Sequence, residues 1–179
     1  LVGLVQPIIK NGNRFKIIDY IFGRWDLARS KGKLERWESV TDIITEIYNY
    51  HKSDASIEIH TCCDPDQGKK KALTDAIWKK IPLGCTIRLH SWKHRKFKWD
   101  YEDKRGSKIN SPKGRMFLCE SIGIQLIKGL DYDNEGDKTD YTLLDIPKIE
   151  KEHSRYPDPD RSGGEETEYT HHWTEKIVK

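Results

Sequence analysis

The sharpest periodicity in the chain follows Ser39. Val40, Ile43, Ile44, Ile47 and Tyr48 recur at i, i+3, i+4, i+7 and i+8, the stripe of an amphipathic helix. Ser39 or Thr41 is placed to cap it, Asp42 suits its first turn, and the pattern ends near "HKSD". "SIEIHTCC" then switches to period two. Ile57, Ile59 and Thr61 alternate with Glu58 and His60, which predicts a strand. A second helix is predicted over "DPDQGKKKALTDAIWKKIP", capped by Asp66, with Leu73, Ala76, Ile77 and Ile81 inward and Pro82 closing it. "GCTIRLHSW" alternates again, Cys85, Ile87 and Leu89 on one face and Thr86, Arg88, His90 and Trp92 on the other.

The flanking segments are less regular. "FKIIDYIF" predicts a short buried strand, and "GRWDLARSKGKLERW" a polar connector with helical propensity broken by Gly32. "RMFLCESIGIQLIKG" fits one long strand or a hairpin broken near Ser121, and "DYTLLDIP" a further strand. "ETEYTHHWTEKIVK" fits a terminal helix or a terminal strand. Strands alternate with helices in the first half and run together in the second. That order predicts an α/β fold, a mixed β-sheet flanked by helices. A length of 179 residues predicts one domain, 1–179. No GxGxxG follows the first strand, which argues against a dinucleotide-binding fold.

Composition narrows the picture further. The chain is 35% hydrophobic and 34% charged, with a mean hydropathy of −0.82, so a compact core lies under an ionic surface. No stretch approaches the roughly 20 apolar residues of a membrane-crossing helix. The opening "LVGLVQPIIK" is interrupted by Pro7 and Lys10 and lacks a basic leader and a small-residue cleavage site, so it does not read as a signal peptide. Met116 is the one methionine, and the chain therefore reads as a fragment of a longer protein. Cys62, Cys63, Cys85 and Cys119 form no CxxC pair. They are expected as free thiols in a cytoplasmic setting, without a zinc site or other cofactor.

Charge changes the picture more than composition does. Between Lys93 and Arg115 lie nine basic residues, Lys93, Arg95, Lys96, Lys98, Lys104, Arg105, Lys108, Lys113 and Arg115, against Asp100, Glu102 and Asp103. Beyond Leu130 the sign reverses, with Asp131, Asp133, Glu135, Asp137 and Asp140, and later Glu165, Glu166 and Glu168. Such a basic segment favours phosphate-bearing partners, nucleic acid or a membrane surface; the plain alternative is a solvated loop. Within it, "LHSWKHRKFKWD" adds Trp92, Phe97 and Trp99, suited to stacking on bases, entering a lipid interface or packing on the sheet. His94 and Lys96 stand in HxK spacing, with Asp100 beyond. On an extended segment i and i+2 share a face, so one phosphate would meet both. A histidine that attacks phosphorus, a lysine that neutralises oxyanion charge and a carboxylate that orients an imidazole make a phosphodiester-cleaving set.

"IIDYIF", "IEIHT", "HRKF", "GIQLIKGLDY" and "EETEYTHHW" together resemble landmarks of the phospholipase-D-like domain found at the C-terminus of MIT-domain proteins, which act with the ESCRT membrane-scission machinery. The resemblance spans nearly the whole chain, and the GLDY strand exit is its most specific piece. It implies a phospholipase-D-like domain that pairs as a homodimer and binds anionic phospholipid at membranes. The chain departs from the H-x-K-x4-D pattern of active phospholipase-D enzymes. Tyr101 stands where the acid belongs, Asp100 comes one residue early and Asp103 two late, and "YEDKRGSKINSPKG" separates the HxK from the next strand.

Three functions stay open at this stage. The first is binding of phosphate-bearing anions without hydrolysis, most of all a phospholipid surface met peripherally, through Lys93, Arg95, Lys98, Lys104, Arg105, His90 and Arg88, with nucleic acid the other anion. The second is a homodimeric, metal-independent phosphodiesterase or nuclease using His94, Lys96 and Asp100. The third is a protein-interaction scaffold. His60 and His90 are expected as partly exposed histidines, with one shared cleft as the alternative. His171 and His172 are expected to point apart, as neighbours on regular structure do, and "KKKAL" to be a solvated helix face.

Overall fold

A computed structural model describes residues 2–19, 38–61, 67–94, 115–126, 141–155 and 169–179. The described elements are α1 (Val2–Asn11), β1 (Arg14–Ile18), α2 (Glu38–His51), β2 (Ser56–Thr61), α3 (Gln67–Lys80), β3 (Thr86–His94), β4 (Arg115–Leu118), β5 (Gly123–Leu126), β6 (Tyr141–Leu144), α4 (Ile146–Arg155) and β7 (Tyr169–Val178). The strands form one mixed sheet in the order β6-β5-β4-β1-β2-β3-β7. β1, β2 and β3 run parallel, joined through α2 and α3. β4, β5 and β6 extend the β1 side antiparallel, and β7 closes the β3 side antiparallel. The expected α/β class with a mixed sheet and flanking helices is therefore the observed one.

Alternation along the strands divides the sheet into two unlike faces. Phe15 and Ile17, Ile57 and Ile59, Ile87 and Leu89, and Phe117 and Ile124 point to one side. There they meet Val5, Ile8 and Ile9 of α1, Ile43, Ile44 and Ile47 of α2, and Leu73 and Ile77 of α3 in a single cluster. Phe15 stacks on Phe117 with centroids 5.9 Å apart, joining β1 to β4 across the core. On the opposite face Ile18, Trp92, Met116, Leu118 and Leu144 gather round Ile149 of α4. Between these apolar groups the same face carries Lys16, Glu58, His60 and His90. One side is thus a conventional core, and the other mixes apolar packing with ionisable groups.

Local chemistry explains most element ends. Asp145 caps α4, its Oδ1 accepting the Lys148 amide at 3.0 Å. Gly84 sits at φ 85° between α3 and β3, and a Cβ there would come 2.6 Å from the Tyr48 hydroxyl. "RMFLCESIGIQL" is a hairpin, broken where the Cys119 amide bonds the Ile122 carbonyl at 2.8 Å. The terminal segment is a strand. Lys70 holds it to α3, 2.7 Å from Glu175 and over the Trp173 ring at 5.2 Å, so Lys70 is not merely solvated. Two expected caps are corrected: α2 already begins at Glu38, so Ser39 and Thr41 lie inside it. Asp66 lies outside the described residues. Among the described residues, no helix is long and apolar enough to cross a membrane.

Candidate functional site

The parallel register places the polar groups in one row. Glu58 pairs with Arg88 and His60 with His90, one strand over, so residues on one face of β2 and β3 stand side by side. His60 and His90 stack with centroids 4.8 Å apart and 18° between planes. Trp92 continues the stack, 5.9 Å from His60. Both histidines are buried, at 2% and 3% exposure. The expectation of partly exposed histidines is corrected; the two rings stand side by side, buried.

Hydrogen bonding fixes the state of His60. The Trp92 indole, a donor only, gives its N–H to His60 Nδ1 at 3.0 Å. Nδ1 is therefore a lone pair, and the ring proton sits on Nε2. Nε2 lies 3.2 Å from Glu58 Oε2 and donates to it. Lys16 Nζ stands 3.8 Å from the same oxygen.

Burial pushes the Glu58 carboxyl up, but the His60 bond and the nearby positive charge outweigh it and hold the group at about 2. Burial drives His60 down to about 3, against the pull of Glu58. At neutral pH the group is a carboxylate flanked by an ammonium and a neutral imidazole N–H.

A carboxylate oxygen of Glu58 and one nitrogen each of His60 and His90 lie within 4.8 Å of one another, a spacing that would suit a cation. The protonation pattern opposes that use. The Nδ1 lone pair of His60 is taken by the Trp92 N–H and Nε2 carries the proton, whereas neutral imidazole binds metal only through a free lone pair.

His90 is held differently. Its Nδ1 lies 2.9 Å from Thr174 Oγ1 on β7, and His171 Nε2 meets the same oxygen at 2.9 Å. His90 Nε2 is buried without a hydrogen-bond partner among the described residues. Burial lowers its ring to about 4, with Glu58 pulling the other way and His171, Lys16 and Arg88 adding to the lowering. His171 reaches the group through a β-bulge. Ser91 pairs with Trp173 but Trp92 with His171, so His172 is the extra residue and the alternation resets. His171 then packs edge-on against Trp92 at 5.0 Å. Strict alternation from Thr174 would have chosen His172, and for that reason the sequence did not reveal His171.

The sequence-predicted residues divide unevenly. His90 lies inside the buried cluster, and Arg88 is exposed on the same strand. Lys93 and His94 belong to the end of β3 by backbone, at register positions opposite Thr170 and Tyr169. Arg95, Lys96, Lys98, Asp100, Lys104 and Arg105, with Phe97 and Trp99, lie outside the described residues. Trp92 is buried on the sheet at 2% exposure, and Cys85 and Cys119 are buried free thiols. Asp19, a buried carboxylate just past β1 with its amide on the His60 carbonyl at 2.9 Å, was not singled out by the sequence.

The strand ends give these residues a common edge. Ile18 pairs with both His60 and Met116, so the carboxyl end of β1 and the amino end of β4 lie together. The last described β2–β3 pair is Thr61 with Ser91, beyond which β3 continues against β7 to His94. The basic segment between Lys93 and Arg115 thus leaves and re-enters the sheet at one edge, the carboxyl edge of the parallel strands. No protein-family model, curated protein or solved structure matches the chain.

Proposed function

We propose that the chain is a phospholipase-D-like domain that binds phosphate-bearing ligands, foremost the anionic surface of a phospholipid membrane, at the carboxyl edge of β1–β3. The observation that carries this reading is the anchoring of the basic segment. His94 at the end of β3 and Arg115 at the start of β4 flank the ends of β1 and β2. Lys93 and Arg115 stand at the edge where open α/β sheets bind their ligands, and the sequence between them carries seven more basic residues. Lys93, Arg95, Lys96, Lys98, Lys104 and Arg105 supply the charge, and Phe97 and Trp99 the apolar contact that a lipid interface rewards.

The test is co-sedimentation with phosphatidylcholine vesicles, with and without phosphatidylserine, for the wild type and for Lys93, Lys96 and Lys98 changed together to glutamate. Binding that needs the anionic lipid and vanishes in the variant supports the reading. Equal binding to neutral vesicles overturns it. Vesicle binding absent beside steeply salt-dependent capture of single-stranded DNA moves the ligand to nucleic acid.

A phosphodiesterase is the second reading, favoured by the Glu58–His60 carboxylate–imidazole pair on β2, beside β3, the strand that ends at His94. Metal-free hydrolysis of bis-p-nitrophenyl phosphate, lost in His94→Ala, would establish it. No hydrolysis by the folded wild type removes it.

A further inference from the structure

Thr174 Oγ1 lies 2.9 Å from a ring nitrogen of each of two histidines, Nδ1 of buried His90 and Nε2 of half-buried His171. A hydroxyl has one proton to give. Thr174 is exposed, and when its proton goes to one ring the other ring donates to the oxygen. Two arrangements follow. In one, Thr174 donates to His90 Nδ1, and the His90 proton sits on the buried Nε2. In the other, His90 Nδ1–H donates to Thr174, Thr174 donates to His171, and His90 Nε2 is a bare lone pair.

We propose that His90, Thr174 and His171 form a proton relay in which the charge on His171 sets the tautomer of His90, and so whether Nε2 of His90 presents a proton or a lone pair to the interior of the site. A doubly protonated His171 can only donate, and Thr174 then turns its proton to His90 Nδ1, the first arrangement. A neutral His171 can accept, and the second then prevails because Nε2 has no acceptor for a proton among the described residues. In passing from the first to the second, the Nε2 proton of His171 goes to the Thr174 oxygen, Thr174 gives its own proton to Nδ1 of His90, and the Nε2–H bond of His90 breaks with its proton released to solvent.

The charged groups acting on His90 are Glu58 from β2, Lys16 from β1, Arg88 on β3 and His171 from β7, and His60 from β2 stacks on its ring. Burial keeps the His90 ring itself neutral down to about pH 4, so it answers His171 by changing tautomer rather than by gaining charge. The relay makes His90 a positioning and proton-exchange group that is a base at the higher pH and a donor at the lower.

Nitrogen-15 NMR of the imidazoles, run from about pH 8 to about pH 5 where an ordinary histidine titrates, tests the relay. The expected result is that His90 Nε2 changes from unprotonated to protonated with the same midpoint as the His171 titration. Thr174→Ser should preserve that coupling and Thr174→Val abolish it, His90 then keeping one tautomer while His171 titrates. A His90 tautomer unchanged across the wild-type titration overturns the proposal, as does an unchanged response in Thr174→Val. Should Thr174→Val fail to fold, His171→Gln decides. His90 held in one tautomer throughout supports the relay, and a tautomer change that persists overturns it.

Discussion

Two hydrogen bonds decide what His60 can do. The Trp92 N–H occupies Nδ1 and the Glu58 carboxylate receives Nε2–H, so the ring is an oriented neutral donor. Trp92→Phe keeps a ring in the stack and removes the N–H. It should cost about 1–3 kcal/mol, the range for a buried acceptor left unpaired, read as a shift in the urea midpoint. In the same variant the Glu58 carboxylate should still hold the proton on Nε2, so nitrogen-15 NMR should show the Nε2–H tautomer retained. A switch to Nδ1–H would mean that Glu58 does not set it. The faces on which His60 and His90 lie were legible from alternation. Their burial was not, because it depends on what lies over the face and on the β2–β3 register that stacks the rings.

Elements with one clean period were the ones the sequence located. The stripes of α2 and α3 and the alternation of β2 and β3 each have a single apolar face, and their spans agree with the pattern. β7 was ambiguous because Tyr169, Thr170 and Trp173 suit a strand while Glu175 and Lys176 suit a helix, and its bulge breaks the alternation at His172. The α1 segment, read only as a short apolar run, is a helix that contains Pro7. α4 went unread although its signals were present: Asp145 as cap, Pro147 in the first turn, and His153 and Arg155 in the last. Asp145→Ala should destabilise the domain by about 1 kcal/mol, the usual worth of an N-cap, and calorimetry reads it. Gly84→Ala should cost more than about 1 kcal/mol, since it joins a left-handed backbone to a contact with Tyr48. A neutral Gly84→Ala would contradict the close approach.

For the whole molecule, the buried histidines set how stability depends on pH. His60 at about 3 and His90 at about 4 lie below the ordinary 6.5. The unfolded chain therefore binds more protons than the folded one between those values. Stability is fully present above about pH 6.5 and falls as the pH drops toward 3, with Glu58 adding to the loss below about 4.5. Each pH unit costs up to about 1.4 kcal/mol per group, so a loss of several kcal/mol is expected from pH 7 to pH 4 in urea titrations. His60→Gln with His90→Gln should flatten that slope. A wild-type profile already flat over this range would mean that the histidines are not buried neutral in solution. The same two rings lie just inside the edge where the basic segment is anchored, and on that edge the functional account rests. The most direct measurement is amide chemical-shift mapping with a soluble inositol phosphate as a stand-in for an anionic headgroup. Saturable shifts are expected at Asp19, Thr61, His94 and Met116, the carboxyl edge of β1–β3 and the start of β4. Shifts confined to α1, α3 or the β6 edge, or none at all, would contradict it.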